Sequence, residues 1–179
     1  MYVRAAHLIS VSERCSFDFV FVVEHSLKLA IFNWGNIYQF IVNLVTNIDA
    51  RIKLGDEARF AVITYSANTT SLTTLTNAYD LEKLMYVMTP LQSNANSDSA
   101  SDGLKSALEV ATRELQPSIA RRLVDWTTRK QALILLKFGD VNDTMAAEAK
   151  RILYTLMNTL VHVTVIGKSG PNTVPYMIN

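Results

Sequence analysis

The chain has 179 residues, enough for one ordinary domain with a core of its own. Hydrophobic residues make up 49% and charged residues 18%, which excludes a disordered chain, and a formal charge of +1 gives no electrostatic basis for binding nucleic acid or an anionic membrane surface. The longest apolar runs, Phe19–Val23 and Ala132–Leu136, fall far short of a membrane span, so no membrane insertion is expected.

Residues 1–14 lack the continuous apolar core of a signal peptide and read as an N-terminal extension, with a single domain over 15–179. Cys15 is the sole cysteine, so it is either an idle thiol or half of a bridge whose partner lies outside this chain. Phe19–Val23 then predicts a strand buried on both faces, as in the middle of a parallel sheet. It stops at Glu24-His25-Ser26, at the carboxyl edge where open α/β sheets gather their ligands.

A helix follows from about Asn33 to Ala50, with Ile37, Phe40, Ile41, Leu44, Val45 and Ile48 on one face, and Trp34 and Tyr38 read as packing residues. Residues 58–66 make a second strand and 71–75 a third, threonine-rich one. The short turn between them implies an antiparallel hairpin at a sheet edge. Asp80 is placed to cap a helix over 81–88, which Thr89-Pro90 ends. The polar stretch 92–102 must be a surface loop. It leads into a helix over 103–115, with Ser101 or Asp102 as its cap.

A short helix over 118–126, a second buried strand over 131–136, a helix over 144–159 and a last strand over 161–166 complete the reading. Strands alternating with helices call for a doubly wound, mostly parallel α/β sheet with one antiparallel edge hairpin and helices on both faces. Two N-x-S/T tripeptides, at Asn68 and Asn142, fall in turn-like surroundings and mark candidate glycosylation sites.

Catalysis is the weakest fit. Glu24–Leu29 contains no glycine for a phosphate loop, and no G-x-S-x-G elbow occurs anywhere. Glu24 and His25, adjacent on a strand, point to opposite faces, and His162 reads as a core histidine.

The Arg59–Ser66 strand with its V-x-x-Y-S ending, the V-x-V-I-G close at Val163–Gly167, and an acid and a serine after the first strand make the sequence from about Cys15 to Gly170 resemble the von Willebrand factor type A (VWA) domain family. That resemblance implies a disulfide from Cys15 to a cysteine beyond the domain. It also implies that this sequence, which lacks much of the family's last helix, is part of a longer, multidomain protein. It further implies a Mg²⁺ site of hard oxygen ligands that leaves one position for a partner's carboxylate.

Carried over residue by residue, the metal ligands are Glu24, Ser26, Asp98 or Ser99, and Asp140. Lys28 stands where a second serine belongs, and Lys137 or Phe138 where an aspartate belongs. A lysine cannot ligate a cation, and Mg²⁺ tolerates little departure from octahedral geometry, so the expectation is a degenerate site with no cofactor. In that case the Lys28 ammonium takes the ion's place and pairs with Glu24. The function implied is a non-enzymatic, secreted module that binds another protein or an extracellular matrix component. The alternatives are a Mg²⁺-dependent adhesion domain and an intracellular scaffold of the same fold.

Overall fold

The computed structural model describes residues 16–26, 31–52, 54, 57–77, 79–92, 103–116, 129–139 and 141–167. Strands β1 (Phe17–Glu24), β2 (Ala58–Tyr65), β3 (Thr69–Thr73), β4 (Lys130–Lys137) and β5 (His162–Gly167) form one sheet in the order β3-β2-β1-β4-β5. Only the β2–β3 pair is antiparallel. The expected architecture is the observed one. β1 lies in the centre, with Phe19 paired to Phe60 on one side and Ala132 on the other.

Its apolar run serves two layers at once, because successive side chains leave opposite faces. Val20 and Val22 join Leu133, Leu135 and Val163 under helices α3 (Gly103–Leu115) and α4 (Asp143–Met157). Phe21 and Val23 join Phe60 and Val62 under α1 (Ile31–Asp49) and α2 (Leu81–Met88). Each such fully buried side chain stabilises the fold by about 1.5–3 kcal/mol.

Local chemistry sets the helix starts. The Asp80 carboxylate accepts from the Lys83 N–H at 2.9 Å and opens α2 as expected. The Asn142 side chain accepts from Met145 N–H at 2.8 Å, so α4 begins one residue earlier than the apolar pattern suggested. Strand β3 also begins earlier, at Thr69, and the chain after it tightens into a 3-10 turn over Leu75–Asn77. Thr73 spans an irregularity in the β2–β3 pairing. Its hydroxyl accepts from Val62 N–H at 2.8 Å and donates to Phe60 O at 3.1 Å, replacing main-chain pairing where the register slips.

Two expectations about burial fail. Phe40 is 41% exposed, although Ile37, Ile41 and Val45 on the same helix are buried. Among the described residues no helix covers the β4–β5 part of that sheet face, so Ile134 and Ile166 stay half-buried and Phe40 hangs over the gap. His162 is not a core residue: it is the exposed first residue of the edge strand β5. The proposed helix over 118–126, the Ser101 and Asp102 caps and the Trp34 side chain lie outside the described residues.

At the amino ends of the strands sits a buried ionic cluster. Asp18 receives Arg59 at both carboxylate oxygens, Nε and Nη2 each at 2.8 Å, and Arg129 Nε at 2.7 Å. Arg129 also donates to the carbonyls of Phe17 at 2.8 Å and Glu57 at 3.1 Å. Three parts of the chain are thereby tied together beneath β1.

Candidate functional site

The opposite, carboxyl rim of the sheet is built from the ends of β1, β2 and β4 and the start of α3. His25 N–H donates to the Tyr65 carbonyl at 2.6 Å, and Ser66 N–H donates to Asn68 O at 2.9 Å, closing the β2–β3 turn. The first residue of α3 is locked onto that turn, with Gly103 N–H donating to Ser66 O at 2.9 Å and Thr69 Oγ1 donating to Gly103 O at 3.2 Å. A Cβ at Gly103 would run into the Ser66 carbonyl, so only glycine permits this approach.

Glu24 occupies the middle of the rim, and it does not face solvent. It is 1% exposed. Its Oε2 accepts from the N–H groups of Phe138 and Gly139, both at 2.7 Å, and its Oε1 accepts from the Ser26 hydroxyl at 3.1 Å. Ser26 itself is fully buried. Burying a bare carboxylate would be prohibitively unfavourable, and these three donors are what make this position tolerable. The Lys137 ammonium, also buried, donates to Gly139 O of the same turn.

Beside Glu24 in the register lies Tyr65. Its hydroxyl is buried and finds no hydrogen-bond partner among the described residues. Burial, and secondarily the Glu24 charge, push the Tyr65 phenol well above its ordinary pKa. Flanking the rim on the α1 side is an apolar trough of about 260 Å³ lined by Asn36, Ile37, Phe40, Leu136, Phe138 and Ile166.

Of the sequence-derived metal ligands, Glu24 and Ser26 are brought into contact. Asp98, Ser99 and Asp140 lie outside the described residues, as do Lys28, with its expected pairing to Glu24, and Cys15. As they stand, Glu24 and Ser26 do not fit a divalent cation. Both carboxylate oxygens already hold protein donors, two of them amides on the same oxygen. Among the described residues no three His, Cys, Asp or Glu side chains stand together as a metal would require.

Two of the three Glu24 partners escaped the sequence reading because they are main-chain N–H groups of a turn more than a hundred residues away. The one local sign was Gly139 two residues after a strand, where a tight turn presents successive amides. His162 lies level with Phe19, five residues and so about 16 Å along the strands from Glu24, and the two are not brought together. Asn68 and Asn142 are both exposed. Asn142 spends its Oδ1 on the α4 cap, which leaves its Nδ2 outside that bond. No helix among the described residues is long and apolar enough to cross a membrane.

The family model for the von Willebrand factor type A domain matches residues 18–175. Comparison with curated protein sequences returns no significant match. Among solved structures, the chain is similar to manganese-loaded TRAP protein of Plasmodium vivax, at 18% identity and a TM-score of 0.64, over 86% of this chain and 57% of that one. It is similar to proximal thread matrix protein 1 of the mussel byssus with a zinc-occupied metal-ion-dependent adhesion site, at 19% identity and a TM-score of 0.64, over 86% of this chain and 38% of that one. A conserved hypothetical protein, BatB of Bacteroides thetaiotaomicron, aligns at 15% identity and a TM-score of 0.60, over 91% of this chain and 72% of that one. The chain thus spans little more than half of the TRAP structure and well under half of the mussel protein.

Proposed function

From its membership of the von Willebrand factor type A domain family, to which this chain belongs, we propose that it is a non-enzymatic, extracellular module that binds a protein or matrix partner without a divalent cation. The fold commonly serves as a protein-binding or adhesion module. TRAP and the mussel thread protein have been seen holding manganese and zinc. One observation carries the departure from them: the rim carboxylate, Glu24, is turned inward and saturated by the chain's own donors. A partner's acidic side chain would therefore meet no ion there, and recognition falls to the shapes of the rim turns and to neutral polar groups. The extracellular setting draws support from two exposed sequons, Asn68 standing in an open turn and Asn142 at a helix start.

The test is solid-phase binding of the purified protein to immobilised matrix proteins (fibrillar collagens, laminin, fibronectin), in excess EDTA and again in millimolar Mg²⁺. Equal binding in both supports the reading. Binding that appears only with Mg²⁺ overturns its metal-free part. Peptide mapping of the protein from its source addresses location: a glycan on Asn68 is expected, whereas bare Asn68 together with a free Cys15 thiol turns the reading towards an intracellular scaffold.

A further inference from the structure

We propose that Glu24 is an internal latch that performs the positioning a cation would otherwise supply, clamping the turn after β4 onto the end of β1. This inference rests on the metal-free reading above and names the residue that holds the rim in place of an ion. Two consecutive N–H groups, of Phe138 and Gly139, converge on the single oxygen Oε2 at 2.7 Å each, an arrangement in which a turn presents a small concave anion site. The other oxygen is held by Ser26 at 3.1 Å, so the carboxylate has one orientation.

At Oε2 latch and cation compete, because the two amides take up both of its acceptor directions, while Oε1 holds the Ser26 hydroxyl. Releasing the amides leaves two donors of a half-buried turn unsatisfied, next to the buried ammonium of Lys137 on the same turn. Phe138 gains from the arrangement, because its ring is a wall of the apolar trough beside Phe40 and Ile166. Fixing its main chain fixes that wall.

Amide hydrogen exchange read by NMR tests this in wild type, Glu24→Gln and Glu24→Ala, with a parallel Mn²⁺ titration of wild type. The Phe138 and Gly139 amides are expected to exchange slowly in wild type. They should accelerate about ten- to a hundredfold in Glu24→Ala and less in Glu24→Gln, while Leu133 and Val163 in the sheet stay protected as the control for folding. Mn²⁺ should leave the Ser26, Phe138 and Gly139 signals sharp. Unchanged exchange in both variants overturns the latch, and so does selective Mn²⁺ broadening of those three signals in wild type. Should Glu24→Ala fail to fold, Glu24→Gln alone decides by the same two amides. Accelerated exchange combined with Mg²⁺-dependent matrix binding would keep the latch and sink the functional reading. Unchanged exchange with EDTA-resistant binding would do the reverse.

Discussion

Strand β1 carries a buried acid at each end, and the two are held by opposite means. Asp18 and Glu24 lie six residues apart on the same face of the strand, and both are essentially inaccessible to water. Asp18 is neutralised by two guanidinium groups, full charges that came with their own desolvation to offset. Glu24 is neutralised by N–H dipoles and one hydroxyl. Removing the Asp18 carboxylate takes a shared counter-charge from two buried cations, whereas the donors that bond Glu24 among the described residues are neutral. The contrast sets a charge-paired foundation at the amino end against a carboxyl rim held by amides and a hydroxyl.

The largest expected effect breaks the foundation. Asp18→Ala should destabilise the protein by about 3–5 kcal/mol in urea unfolding, because the buried Arg59 and Arg129 both lose the carboxylate that they share. A loss below about 1 kcal/mol would show that the cluster contributes little. Glu24→Ala should lose about 2–3 kcal/mol in the same measurement, less than Asp18→Ala. A reversal of that order would refute the contrast between the two ends.

Tyr65→Phe sharpens the picture at the rim, since it removes a buried hydroxyl that has no partner among the described residues. At neutral pH the variant should equal wild type or exceed it by up to about 1 kcal/mol. The folded-state pKa of Tyr65 is raised, so its stabilising contribution is complete below the ordinary phenol value. It fades as pH rises above that value towards the folded one. Wild type should therefore lose stability in strong alkali, and the variant should lose less of it, as urea midpoints on either side of the phenol range will show.

The smallest effect belongs to an exposed pair set against both buried acids. Lys105 and Glu148 lie 2.9 Å apart on the surface of α3 and α4. A hydrogen bond from Lys105 holds the Glu148 carboxyl below its usual range, so whatever the pair adds is present above the unfolded carboxyl pKa and disappears as pH falls through the folded one. Lys105→Ala should leave the urea midpoint nearly unmoved, and added salt should erase any difference. A midpoint shift rivalling that of Glu24→Ala would mean that burial is not what separates these carboxylates.

The sheet was legible because its determinants are local. Unbroken apolar runs such as Phe19–Val23 have one use in a domain of this size, and spacings of three and four mark helices whatever they pack against. The Asp80 cap needed only its own next three residues. The Asn142 cap is equally local, yet the apolar pattern alone places the helix start at 144, and Asn142 reads there only as a sequon.

What the chain alone determined, then, was the order of elements, the central strand and the family. Tertiary structure decided the rest, for one reason: side-chain burial and hydrogen-bond partnership depend on groups far apart in the chain. Arg59 and Arg129 reach Asp18 across 41 and 111 residues. The amides that turn Glu24 inward arrive from 114 and 115 residues away and carry no side-chain signature. Phe40 keeps a helical core spacing yet stands exposed, because burial needs an opposing surface as well as a period.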